Sequence, residues 1–167
     1  MLIPITAKIV HPFVAIFNFL TPLGDFAVRC WIAYIFFNAG LIKLQSWETT
    51  VNLFTYEYHV PLLSPYWAAV LGTYAELILP VLLILGLGGR FCIFLFFLYN
   101  GIAAISYPFL WTAQGSVGLE EHISWGFLLM MLMLHGSGKI SLDHWLHIRH
   151  RHYIFIQPED TDFVSSG

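Results

Sequence analysis

Charged residues are scarce in this chain of 167 residues. They make up 10% of the sequence, against about 25% in an average soluble domain. Hydrophobic residues reach 58%, where roughly 45–50% is usual. A chain of this length cannot hide so much apolar surface in a water-soluble core. The composition therefore predicts that the solvent of this protein is a lipid bilayer.

Three further absences narrow the range of possible functions and cell locations. The net charge of −3, with no basic stripe, argues against a nucleic-acid partner. Only two cysteines occur, Cys30 and Cys92; each lies in an apolar run, and neither has C-x-x-C spacing. They are predicted to be inert buried thiols rather than a redox pair. The N-terminus lacks a small-residue cleavage site after a clean apolar core, so it does not read as a cleaved signal peptide.

Four apolar runs are long enough to cross a membrane, at ~20 residues per crossing. They cover about residues 25–44, 67–87, 91–111 and 120–138. A lone segment in lipid must satisfy its own backbone hydrogen bonds, so each run is expected to be a helix. The prediction is an all-α integral membrane four-helix bundle, forming a single domain over residues 1–152.

The segments outside these runs have their own patterns. Residues 6–20 are apolar, short and interrupted by Pro12, which favours an N-terminal interfacial helix over a span. The aromatic and polar residues 46–66 are expected to lie on the membrane surface. Residues 141–152 predict a short C-terminal amphipathic helix, and residues 153–167 a disordered tail.

Basic and acidic residues fall on opposite sides of the predicted bundle, with Lys43 as the exception. The basic side carries Arg29, Arg90, Lys139, Arg149 and Arg151, and the acidic side carries Glu48, Glu57, Glu120 and Glu121. Positive residues favour the cytoplasmic side. We therefore expect a bacterial cytoplasmic (inner) membrane protein with both termini in the cytoplasm.

Ionisable residues within the spans are the first candidates for function, because charge is unfavourable in lipid. Glu76 lies near the middle of the second span, and His122 and Trp125 lie one turn apart at the start of the fourth. Glu76 could equally be a buried carboxylate paired with a basic residue, and Lys43 could reach the interface with its long side chain. The functional hypothesis assigns proton handling to Glu76 and His122, and the positive partner of an anionic intermediate to Lys43.

A flat amphipathic ligand such as a quinone head group would suit these residues together with nearby amide and aromatic side chains. The predicted ligand-contacting residues are Asn38, Tyr74, Asn100, Trp125, Trp47, Tyr56 and Glu57. On the other side, Arg29, Arg90 and Asp143 are expected to form structural ion pairs or anchors. No metal site is predicted, because His144, His147, His150 and His152 are spaced so that they drift around a helix.

Several stretches also carry a family resemblance. They are RCWIAYIFFNAGLIKL (29–44), LFTYEYHVPLL (53–63), AELILPVLLILGLGGR (75–90), YPFLW (107–111), EHISW (121–125) and HGSGKISLD (135–143). In order and spacing they resemble the DoxX family of small four-helix membrane proteins, over about three quarters of the chain. The residues matched to the family pattern are Arg29, Lys43, Glu76, Arg90, His122 and Asp143.

The resemblance implies a place in membrane redox chemistry. Some relatives look like subunits of thiosulfate:quinone oxidoreductases. The 53–63 loop and the 135–143 ending look closest to a subgroup encoded beside iron-dependent oxidases that modify copper-handling secreted peptides. The leading hypothesis is therefore a protein that couples a quinone-like carrier to a partner oxidoreductase.

Two other hypotheses remain open at this stage. One is a non-catalytic membrane anchor or assembly factor that recruits a soluble enzyme or a secreted peptide through its loops. The other is a small transporter, against which four helices and the absence of matched interrupted segments argue. The sequence leaves open whether the chain forms a homo-oligomer.

Overall fold

A computed structural model describes residues 3–136, 138 and 140–146, with side chains from residue 10 onward. The predicted tail at 153–167, the histidines from residue 147 onward and Lys139 lie outside the described residues. Of the predicted C-terminal helix, residues 142–146 are described, and they are helical.

Five α-helices and one short 3-10 helix make up the described chain. They are α1 (Ile3–Gln45), α2 (Trp47–Tyr56), α3 (Pro65–Leu85), α4 (Gly89–Ser106), the 3-10 helix (Pro108–Trp111) and α5 (Ser116–His135). Four of them contain a segment long and apolar enough to cross a membrane: Val10–Gln45, Pro65–Leu85, Gly89–Ser106 and Ser116–His135. The prediction of an all-α membrane protein with four spanning helices is confirmed.

Proline and glycine set the ends of the spanning helices. Pro65 stands in the first turn of α3, where its missing N–H is no loss. Gly86 ends α3 in the left-handed conformation, at φ 64°, which a residue with a side chain rarely adopts. Pro108 follows α4 by two residues, so Tyr107 is extended and α4 stops at Ser106.

The N-terminal segment differs from its prediction. Residues 6–20 are helical, but they are continuous with the first span instead of forming a separate interfacial helix. Pro12 and Pro22 lie within α1, and the Thr21 hydroxyl donates to the carbonyl of Phe17 beside the second proline.

Three other boundaries also differ. The surface segment 46–66 contains the helix α2, which the sequence analysis treated as a loop. The third spanning helix ends at Ser106, because the residues up to 111 turn away as a 3-10 helix. The fourth begins at Ser116, so Glu120 and Glu121 lie one turn inside α5, and both are exposed.

The bundle core forms where α1, α3, α4 and α5 meet. α1 packs mainly against α3, and α4 mainly against α5. The buried apolar cluster that joins them is Ile32, Phe36, Leu83, Ile93, Phe96, Leu129 and Leu132. Residues 10–21 of α1 are exposed, so this stretch contacts little else in the described chain.

The start of α5 depends on a close backbone contact. A Cβ on Gly115 would overlap the carbonyl oxygen of Phe109 in the 3-10 helix. Backbone atoms cannot move aside as a side-chain end can, so we expect Gly115→Ala to destabilise the fold by about 1–3 kcal/mol, as overpacking does. A drop in the thermal midpoint of the detergent-solubilised protein would show it.

Gly101→Ala is the matched control, because a Cβ at Gly101 in α4 meets nothing within 4 Å. This control should keep the wild-type midpoint or raise it, since alanine favours a helix over glycine by up to about 1 kcal/mol. Equal midpoints for the two variants would contradict the predicted contact.

Candidate functional site

An ion pair joins α1 to α3 inside the bundle. The Lys43 ammonium donates to Glu76 Oε1 at 2.7 Å and also to Oε2. The two side chains are 14% and 8% exposed. Glu76 is therefore a buried carboxylate paired with a basic residue, which was one of the alternatives. Lys43 turns inward to this carboxylate instead of reaching the interface.

A glycine lets the two helices approach closely enough for this contact. Gly40 lies one turn before Lys43, and a Cβ there would stand 2.9 Å from a terminal methyl of Leu77 and 3.1 Å from Cβ of Glu76. A small residue at this point brings the α1 backbone against α3. The Lys43 ammonium can then bridge both carboxylate oxygens.

A phenol on α4 adds a further hydrogen-bond donor for the carboxylate. The Tyr99 hydroxyl lies 2.9 Å from Glu76 Oε1 and 3.2 Å from the Gly72 carbonyl oxygen. A buried ion pair needs additional hydrogen bonds to offset its loss of hydration, and Tyr99 supplies one besides those from Lys43. Sequence reasoning missed Tyr99, although it lies next to Asn100 in the middle of a span.

His122 is fixed by an amide on α4. The Asn100 amide group donates to the His122 backbone carbonyl at 2.9 Å, which leaves Asn100 Oδ1 facing His122 Nδ1 at 2.8 Å. Because Oδ1 can only accept, Nδ1 must carry a proton. In the neutral ring Nε2 is then a free acceptor, the form needed to take up a proton.

Aromatic rings surround the histidine. Trp125 lies edge-on to the imidazole, with centroids 4.8 Å apart, and Phe36 lies 6.4 Å away. Phe36 also contacts Trp125 at 5.2 Å and Tyr99 at 6.2 Å. These contacts connect the histidine side of the bundle to the carboxylate side.

Lys43, Glu76, Tyr99, His122 and the rings beside the histidine border one cavity of about 400 Å³. Its polar residues include Lys43, Glu76, Tyr99 and His122, and the remainder of the wall is mostly apolar and aromatic. Small side chains such as Ala39, Gly72, Ala75 and Ala103 keep the space open. An apolar pocket with a few convergent polar groups is the usual form of a small-molecule site.

Stacked rings cover one side of the cavity beneath the α2–α3 connection. Phe54 stacks on Tyr58 at 4.7 Å, and Tyr58 stacks on Tyr107 at 4.6 Å. The Tyr107 hydroxyl donates to Glu57 at 3.0 Å. Burial, with a smaller contribution from the nearby Glu76 charge, raises the pKa of Tyr58 to about 12, so this phenol is neutral at physiological pH.

The cavity lies close to the outer surface of the described chain between α3 and α4. Leu71 on α3 and Ile102 on α4 both line it, yet each is 52% exposed.

Only part of the predicted ligand-contacting set lines this cavity. Trp125 does, and Asn100 acts through His122. Trp47 and Tyr74 line a different hollow, and Asn38 is half-buried away from the cavity. Tyr56 is exposed on α2, and Glu57 contributes only through its contact with Tyr107.

The predicted anchoring residues lie at the opposite end of the bundle. Arg29 is 1% exposed and donates to the carbonyl of Ile140, and Arg90 donates to that of Leu134. Asp143 comes close to Gly89 at the start of α4. At the same end, His135 and Asp25 pair at 3.1 Å. Hydrogen bonds from arginine side chains to backbone carbonyls hold this end of the bundle together.

Neither cysteine nor histidine forms a metal site within the described residues. No group of three or more metal-ligating side chains occurs there, and Cys30 and Cys92 are free thiols. The side chains that line the described cavity can hydrogen-bond a ligand and transfer protons.

The ion pair leads to a prediction about stability. Removing one partner leaves a buried charge alone, so Lys43→Met should destabilise the protein by about 3–5 kcal/mol. Lys43→Met combined with Glu76→Leu should recover most of that loss, because apolar replacements of similar size suit a buried site. Thermal midpoints of the single and double variants test this, and a double variant less stable than Lys43→Met would contradict it.

The histidine tautomer leads to a second prediction. Nitrogen-15 NMR of histidine-labelled protein, at a pH where His122 is neutral, should show the proton on Nδ1. Asn100→Ala should release the ring toward the Nε2–H form, because the fixing hydrogen bond is gone. Asn38→Ala, which removes an amide outside the cavity, should leave the spectrum unchanged, and an Nε2 proton in the wild type would overturn the assignment.

Comparison with known proteins identifies the family. Among curated proteins and among solved structures, none matches this chain. The DoxX family pattern matches residues 24–110, just over half of the sequence. That range contains Lys43, Glu76, Tyr99 and Asn100, and it ends before His122. The chain belongs to the DoxX family.

Proposed function

We propose that this protein binds a quinone-like, lipid-soluble redox carrier in the cavity and couples it to a partner oxidoreductase. One observation carries the proposal: a single apolar cavity brings together a buried carboxylate, its lysine and tyrosine partners, and an oriented histidine. Aromatic walls suit a flat ring, and the polar groups suit ring oxygens that gain and lose protons.

The position of the cavity close to the outer surface supports a ligand drawn from the membrane. Leu71 and Ile102 line the cavity, and both are exposed. A long apolar tail could extend outward between α3 and α4 while the head group lies inside. A water-soluble substrate would not be expected to enter the cavity from the lipid.

A bound quinone would supply two-electron chemistry that takes up two protons on reduction. His122 Nε2 is a free acceptor in the neutral ring, and it would hold or give one of these protons. Lys43 would provide positive charge near a ring oxygen that becomes more negative. Glu76, held by Lys43 and Tyr99, would orient the ammonium and keep the local charge balanced.

The electrons would come from or pass to a separate protein. The partner we propose is an oxidoreductase, and the family resemblance extends this to one that modifies a copper-handling secreted peptide. Arg29 and Arg90 at one end favour a bacterial inner membrane orientation with that end in the cytoplasm. The cavity would then lie nearer the outer face.

A second candidate is a membrane anchor or assembly factor. Its support is Leu62 in the α2–α3 connection, which is fully exposed and has a left-handed φ of 66°. An exposed leucine in an unfavourable conformation is typical of a contact made with another surface. On this hypothesis Leu62→Gln would abolish function while cavity variants would act only through stability.

Organic extraction of gently purified protein, followed by mass spectrometry, tests the leading proposal. Wild type should retain a quinone in a near-stoichiometric amount. Glu76→Gln and His122→Ala should each lower retention by about tenfold or more, as expected when a buried polar group loses its partner in a binding site.

Glu121→Gln is the matched control, because Glu121 is an exposed acid next to His122. It should retain quinone as the wild type does. An empty wild-type protein, or equal retention in all variants, would reject the quinone proposal and favour the anchor.

A further inference from the structure

One buried hydroxyl in the cavity wall has no hydrogen-bond partner. Ser106 is 1% exposed, and within the part of the chain that the structure describes its Oγ has no hydrogen-bond partner. A serine near the end of a helix ordinarily donates to the carbonyl one turn earlier, but this one does not. A buried polar group left unsatisfied is unfavourable, and such groups in native proteins call for an explanation.

Ser106 belongs to the face of α4 that borders the cavity. Tyr99, Ile102, Ala103 and Ser106 all line it, at the i, i+3, i+4 and i+7 spacing of one helical stripe. Seven residues at 1.5 Å rise separate Tyr99 from Ser106 by about 10 Å along the axis. The α4 wall is therefore polar at both ends and apolar between them.

The backbone holds this hydroxyl in place. The Ser106 carbonyl accepts a hydrogen bond from the His59 N–H at 2.7 Å, which ties the end of α4 to the α2–α3 connection. Tyr107, the next residue, is fixed in turn by its stack on Tyr58 and its hydrogen bond to Glu57. These contacts fix the backbone that carries the hydroxyl, which lowers the entropy lost when a ligand binds.

We infer that Ser106 donates a hydrogen bond to a second oxygen of the bound ring, opposite the oxygen that faces His122 and the Lys43–Glu76 pair. The ligand class is then a six-membered ring with oxygens at para positions, a 1,4-quinone. This inference rests on the proposed function and assigns a specificity-determining residue to the same cavity.

The spacing agrees with this class. The two polar ends of the α4 wall lie about two helical turns apart, so a ligand that reaches both needs an oxygen at each end of its ring. A ring with adjacent oxygens would leave Ser106 without a partner. A phenol, with one oxygen, would engage only the end that contains Glu76 and His122.

The first test compares stability with and without ligand. Without quinone, Ser106→Ala should have a thermal midpoint equal to or above that of the wild type, because it removes an unsatisfied buried group. With a decyl-substituted 1,4-benzoquinone in excess, the order should reverse, because the wild type binds more tightly and gains more stability. A purely structural role for Ser106 would lower the midpoint of the variant in both conditions.

The second test measures affinity for two probes, the decyl-substituted 1,4-benzoquinone and a decyl-substituted phenol. Ser106→Ala should weaken quinone binding by about 2- to 10-fold, the effect of one neutral hydrogen bond, and change phenol binding by less than about twofold. Glu76→Gln should weaken both. Thr73→Val is the matched control, since Thr73 also has a buried hydroxyl without a partner, but outside this cavity.

The outcomes separate the two claims. Quinone binding that is equal in wild type and Ser106→Ala overturns the inference and leaves the proposed function standing. Equal loss of quinone and phenol affinity in Ser106→Ala also overturns it, because the hydroxyl would then not recognise the second oxygen. A wild type that binds no quinone overturns the proposed function, and this inference with it.

Discussion

The ion pair between Lys43 and Glu76 is the constraint on which the arrangement of the bundle depends. Two opposite charges inside a membrane protein are tolerable only when they touch and their remaining hydrogen bonds are filled. Gly40 permits the contact, and Tyr99 adds a further hydrogen bond to the carboxylate. One electrostatic requirement therefore fixes the relative positions of α1, α3 and α4.

The cavity follows from the same requirement. Side chains that hold a charged pair cannot also fill the space beside it, and small residues such as Ala39, Gly72 and Ala75 border that space. Asn100 uses both its amide nitrogen and its amide oxygen to hydrogen-bond His122, so the imidazole ring is oriented before any ligand binds. The polar groups of the site are thus preorganised by contacts among four helices.

Sequence reasoning reached the charged residues of the site because charge in a span is conspicuous. Glu76, His122 and Lys43 were selected on that ground, and the cavity contains all three. Tyr99 and Ser106 were not predicted as site residues, because a tyrosine or serine in an apolar helix looks like an ordinary packing residue. Tyr74 was selected wrongly as a neighbour of this cavity, since two residues of helix rotate it away from Glu76. The i, i+7 spacing of Tyr99 and Ser106, which places both on one face of α4, was the available signal in the sequence. It could be interpreted only once the cavity beside that face was known.

Stability alone does not account for the groups that line the cavity. A buried ion pair adds little stability over apolar residues of the same size, and the Ser106 hydroxyl has no hydrogen-bond partner among the residues that the structure describes. An anchor hypothesis can explain the ion pair by its role in placing the helices. It gives no reason for the oriented histidine and the open hydroxyl in the same cavity. A ligand with a polar atom at each end accounts for all three through one set of contacts.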